Sequence, residues 1–307
     1  MPGCKTSTMN SSIISDTLKE QCIQELRGSL RTQSKWVKVH AAEYLLWSGY
    51  PEGVQKTFME EEQHFGTGSP YRIGIWRVLA QATDNAEEKK IWTGKILKAF
   101  LDTNGMDRVH AVETLAKLGI SPLQEAPKIA RHALKSADKS LALYTMWSVS
   151  FSSADSLKAA QAAFFNLLMS EVAATSEKRL AAYVIRHMNS LNDLDWRKLS
   201  NKALMVSVDS ENSLYLLSTA FVTARVDSMQ SGTFQRIREN LLKYHDAPNK
   251  SDRIEMASAL SEKGTKQDLP VLIAMLDNKN SIGIKADDAD IAASAAYAIL
   301  KIGRQMD

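Results

Sequence analysis

The residues best suited to chemistry stand in two matching segments. "WVKVHAAEYLLWSG" occupies 36–49 and "DRVHAVETLAKLG" occupies 107–119, so His40 precedes Glu43 by the same spacing as His110 precedes Glu113. Histidine with a carboxylate beside it is suited to proton transfer, the imidazole moving the proton and the carboxylate assisting it. Tyr71 supplies a second proton donor, and Arg77 a fork able to hold a substrate carboxylate. The catalytic candidates are therefore His40, Glu43, Tyr71, His110 and Glu113. Four of the six tryptophans, Trp36, Trp47, Trp76 and Trp92, fall in the same stretch. Aromatic faces next to carboxylate, imidazole and guanidinium groups suit the apolar face and hydroxyls of a sugar. Trp36, Trp47, Arg72, Trp76, Arg77 and Arg108 form the candidate ligand-binding set.

Other chemistry finds little footing. "HAAE" and "HAVE" lack the second histidine of the His-Glu-x-x-His zinc motif, so no metal site is expected. No phosphate loop, dinucleotide fingerprint or Gly-x-Ser-x-Gly elbow is present, so no cofactor is expected either. A net charge of +3 is too small and dispersed for a nucleic-acid partner. No run of eighteen apolar residues exists, so no transmembrane segment is expected.

The elements that must position these residues are amphipathic helices. Only 14 Gly and 7 Pro among 307 residues disfavour a strand-and-turn architecture. Leu45, Leu115, Leu260 and Ile299 share a register: each is followed four residues on by Gly49, Gly119, Gly264 or Gly303. Small residues recur before each, at Ala41-Ala42, Ala111, Ala257 and Ala295-Ala296, and allow close helix approach. The glycines are expected to end helices in left-handed geometry. Lys38, Arg108 and Arg253, with Arg72 in a related segment, fall within the apolar arc and are expected to bond neighbouring repeats. At about 100° per residue, Trp36, His40, Glu43 and Trp47 form one stripe, and Met106, His110, Glu113 and Lys117 form its counterpart. Adjacent helices would then present Glu43, Arg77 and Glu113 in alternating sign. A solvated helical face has the same look. The helix at 13–30 offers a competing use for Trp36 and Trp47, by lying over them.

These features predict an all-α chain, a right-handed α-solenoid of about seven helical hairpins of roughly 33–40 residues each. The pattern resembles the HEAT-like repeat family, most closely at 36–119 and 252–303. "WVKVHAAE", "YRIGIW" and "DRVHAVETLAKLG" are also similar to a bacterial HEAT-like module associated with sodium:solute symporters and sugar uptake. Residues 1–12 read as a disordered tether and 13–307 as a single solenoid. The Gly3-Cys4 pair before a Ser/Thr-rich run looks like the maturation site of a bacterial lipoprotein. That would put a lipid anchor on Cys4 in the cell envelope or periplasm; an ordinary N-terminus would leave a cytoplasmic location open. The function expected first is non-catalytic binding of a protein partner or a carbohydrate-like ligand. The alternative is an enzyme on a sugar or sugar acid, a lyase, epimerase or hydrolase.

Overall fold

Capping side chains decide where many of the helices begin. Ser15, Asn85, Asp138, Ser153, Asn192, Ser231 and Asn249 each accept a bond from a backbone N–H in the first turn. In the computed structural model, which describes residues 13–188, 191–207, 210 and 212–304, the chain is all-α. Among the described residues there are sixteen α-helices, three short 3-10 segments and no strand. The helices alternate between two layers. The outer layer holds α1 (Asp16–Thr32), α3 (Val54–Phe65), α5 (Ala86–Leu101), α7 (Pro127–Ala133), α9 (Ala154–Met169), α11 (Asp193–Met205), α13 (Gly232–Leu242) and α15 (Leu269–Leu276). The inner layer holds α2 (Lys35–Trp47), α4 (Tyr71–Ala82), α6 (Arg108–Lys117), α8 (Lys139–Ser150), α10 (Thr175–Met188), α12 (Ser213–Val222), α14 (Lys250–Lys263) and α16 (Lys285–Arg304). No helix among the described residues is long and apolar enough to cross a membrane.

Each inner helix packs on the next, from α2 through α16, and α16 then packs on α2 and α1. The chain thus returns on itself. The closing seam joins residues about 250 apart. Tyr44 stacks on Tyr297 with ring centroids 4.6 Å apart, and its hydroxyl lies 3.1 Å from Oγ of Ser294. Gln21 donates to Asp277 at 3.0 Å. Contacts rise together along both sequences, 40 with 290, 44 with 294 and 47 with 304, so α2 and α16 run parallel. Seven outer helices pack on the inner helix that follows, and α13 reaches α14 through the 3-10 turn Lys243–Asp246. For most outer helices the closer packing is with the inner helix that follows, one helix out of phase with hairpins that start at residue 36, whereas α5 packs equally on α4 and α6, and α13 packs on α12.

The glycine expectation holds at two positions and needs correction at two. Gly49 and Gly119 take φ of +70° and +68°. In each, the glycine N–H and the one after it close back onto the helix: Gly49 to Leu46, Tyr50 to Leu45, Gly119 to Ala116 and Ile120 to Leu115. Gly264 instead ends its helix at φ −66°, ψ 160°. Gly303 lies inside α16, where a Cβ would stand 2.7 Å from Ile14, so it serves the approach of the segment leading into α1. The basic residues bond to neighbouring helices and their connections. Lys38 pairs with Glu61 at 2.6 Å, Arg72 with Asp107 at 2.5 Å, and Arg108 donates to the Phe100 carbonyl at 3.1 Å. Arg253 donates to the carbonyls of Ala247, Asp246 and Asn280. Cys22 is buried, and burial pushes its thiol up to about 12, so it carries no reactive thiolate. Cys4 and the tether at 1–12 lie outside the described residues.

Candidate functional site

The stripes marked by the sequence turn toward the interior of the cycle. Glu43 and Arg77 are only 4% and 5% exposed, which rules out a solvated face for them. Arg77 donates to both Glu43 oxygens, Nε at 2.6 Å and Nη2 at 2.8 Å, and Gln81 adds a third bond at 2.9 Å. Burial opposes the Glu43 charge, but Arg77, Lys117 and Gln81 together outweigh it and hold the carboxyl below its ordinary pKa. Glu113 accepts from Lys117 at 2.9 Å and from the Tyr183 hydroxyl at 3.4 Å. Burial opposes its charge too, and Lys117 and Arg77 again prevail. The wall from α2 to α6 is therefore a chain of alternating charge, with the Tyr183 hydroxyl of α10 at its end. His110 lies 3.9 Å from Glu113.

Beside this wall is a cavity of about 670 Å³ lined by Trp36, His40 and Tyr44 of α2, Tyr183, Arg186 and His187 of α10, Tyr215 and Val222 of α12, and Asp290 of α16. From α14 it takes Lys250, Ser251, Ile254, Glu255, Ser258 and Glu262. Trp36 reaches across α4 at Gly74, where a Cβ would stand 2.9 Å from its ring, and its ring lies tilted against His110 with centroids 5.6 Å apart. His40 has a partner the sequence reading missed: its Nδ1 lies 2.9 Å from Oδ1 of buried Asp290, not against Glu43. Lys250 Nζ stands 3.4 Å from the other Asp290 oxygen and 2.7 Å from Asp287. Arg186 pairs with Glu255 at 2.8 Å, and Ser218 donates to Glu255 at 2.5 Å. Glu262 faces Lys301 at 3.7 Å. Every one of these charged groups on the wall thus has an opposite charge within 4 Å. Desolvation, with Lys117 and Arg186 nearby, pushes the His187 imidazole down to about 4. A second cavity toward the helix N-termini shares Tyr215 and Ser251 with the first.

The remaining candidates lie elsewhere. Tyr71 is buried and donates to Glu61 at 2.7 Å. Trp76 donates to Glu62 at 2.8 Å, with Arg72 and Lys95 over its ring. Trp92 packs under the same Lys95. Trp47 is 47% exposed beside Tyr297 and donates to Gln81, so α1 does not bury it. Arg72 and Arg108 hold the structural bonds given above. Among the described residues no cluster of His, Cys, Asp or Glu could hold a metal ion. The structure brings Trp36 and His40 to the cavity, sets Glu43, Arg77, Glu113 and His110 in the wall beside it, and leaves Tyr71, Arg72, Trp76 and Arg108 outside.

A register signal would have found the missed residues. Trp36, His40, Glu43 and Trp47 stand nine, five and two before Leu45 and two after it. The same offsets from Leu260 give Ser251, Glu255, Ser258 and Glu262, all of which line the cavity. From Ile299 they give Asp290, Ser294, Tyr297 and Lys301. No protein-family model and no curated protein matches the chain.

Proposed function

We propose that this is a HEAT-like repeat protein whose array closes into a ring and binds a small, neutral, hydroxyl-rich molecule, carbohydrate-like in chemistry, inside it. The observation that carries the reading is the cavity at about 670 Å³, within the range of about 300–1,000 Å³ typical of small-molecule sites. Trp36, Tyr44, Tyr183 and Tyr215 offer ring faces for C–H surfaces, and Ser251, Ser258 and the paired charges offer hydrogen bonds to hydroxyls. Because the wall charges are already paired, a charged ligand would have to break a pair and leave one partner uncompensated, whereas a neutral one need not. That weighs against a sugar acid held by Arg77, whose guanidinium is occupied by Glu43. A protein partner gains less support, since the stripes face inward. The HEAT-like assignment rests on the small-residue approaches, the paired glycine caps and the basic ties between neighbouring helices. In the outer-then-inner phase, the second helix of each pair lines the interior.

Thermal unfolding against neutral monosaccharides, polyols and uronic acids tests the reading. A ligand at a hundred times its dissociation constant adds about 2.7 kcal/mol of stability. A shift from a neutral sugar that Trp36→Ala abolishes is expected. No shift from any neutral sugar, or shifts from uronic acids alone, would sink it.

A further inference from the structure

Asp290 holds two different groups at once. Its side chain is closed off from solvent, with Oδ1 on His40 Nδ1 at 2.9 Å and Oδ2 toward Lys250 Nζ at 3.4 Å. The three residues come from α2, α14 and α16, so the arrangement exists only because the chain closes. Burial opposes the Asp290 charge, but His40 and Lys250 outweigh it and keep the carboxyl ionised. An ionised carboxylate only accepts, so His40 Nδ1 donates to it, and the proton acceptor of the neutral imidazole is then Nε2. Lys250 is kept charged against burial by Asp287 and Asp290. His40 and Lys250 are each about one-third exposed, and both line the cavity. An imidazole and an ammonium therefore share one buried carboxylate on the wall.

We propose that the cavity is a proton-transfer site acting on the carbon next to the carbonyl of an open-chain neutral sugar, with His40 as general base and Lys250 stabilising the oxyanion. This rests on the neutral-sugar reading above. His40 Nε2 takes the proton from the hydroxyl-bearing carbon. The C–H electron pair becomes the carbon–carbon double bond of an enediolate, and the carbonyl electron pair moves onto the oxygen facing Lys250. Return of the proton from His40 to the same carbon restores the sugar. Return to the neighbouring carbon, after the hydroxyl proton has passed to the enediolate oxygen, gives the aldose–ketose isomer. No oxidant, reductant or co-substrate is consumed. His40 and Lys250 are the catalytic residues and Asp290 a positioning residue.

Deuterium entry from D2O into a panel of aldoses and ketoses, read by proton NMR, reports the C–H cleavage whatever the product. At least one sugar that raises the unfolding temperature should exchange. His40→Gln should slow that exchange, read at saturating sugar, by about a hundredfold or more, the lower end of what acid–base groups contribute. Lys250→Gln should slow it about tenfold, roughly 1.4 kcal/mol. Asp290→Asn should lower the rate at saturation and leave half-saturation within about twofold, with partial recovery in Asp290→Glu. A sugar that binds without exchanging above the protein-free rate overturns the proposal and leaves the binding reading intact. Exchange unchanged in His40→Gln also overturns it. Absence of binding by every sugar removes both.

Discussion

At the scale of single residues, the interior is organised by pairs whose members are far apart in sequence. Arg77→Ala would leave Glu43 buried without its guanidinium, and removing one partner of such a pair costs about 3–5 kcal/mol. The double variant Glu43→Leu/Arg77→Met should lose much less, a difference that urea unfolding resolves. Acid should act through the same groups. Glu43, Glu113 and Asp290 have folded-state pKa values below their ordinary ones. Their contribution is complete above the unfolded values, about 4.3 for Glu and about 3.9 for Asp, and is lost as pH falls through the folded values. His187 has the same sign: its contribution is complete above about pH 6.5 and declines as pH falls toward about 4. The urea midpoint should therefore fall gently below pH 6.5 and steeply below about 4.3, with His187→Gln removing only the gentle part. The sequence made His40, Trp36 and the alternation of Glu43 with Arg77 legible, because helical period alone sorts faces. It left Asp290 hidden, because His40 has a glutamate three residues away and the true partner lies 250 residues on.

At the scale of elements, caps and close approaches decide the geometry. Gly49→Ala or Gly119→Ala should each cost about 1–2 kcal/mol, the penalty for a Cβ in left-handed backbone. Gly303→Val should cost about 1–3 kcal/mol through overpacking against Ile14, since its helical backbone tolerates a side chain and only its neighbour objects. Chemical denaturation separates the two causes, because Gly303→Val with Ile14→Ala should recover stability, whereas Gly119→Ala has no neighbour within 4 Å of the added Cβ to rescue it. Helix positions were legible from the period of apolar residues and from the Leu-Gly register. The pairing phase was not. Both neighbours of an inner helix bury apolar surface on it, and sequence does not say which one buries more.

At the scale of the whole molecule, closure is what turns stripes into a cavity. Closure sums the packing of each inner helix on the next, and no local residue pattern encodes the sum. The parallel contacts of Tyr44 with Ser294 and Tyr297 and of His40 with Asp290 become visible only once the last helix meets the first. Closure also sets how a ligand should be felt: a molecule in the cavity touches α2, α10, α12, α14 and α16 together, so it should brace the seam. The most direct test is hydrogen–deuterium exchange of the protein alone and saturated with the sugar that gives the largest thermal shift. Slower exchange should appear together in 36–44, 250–262 and 285–297, with the outer helix Val54–Phe65 unchanged. Protection confined to outer helices, or to α2 without α14 and α16, would contradict a ligand held inside the ring.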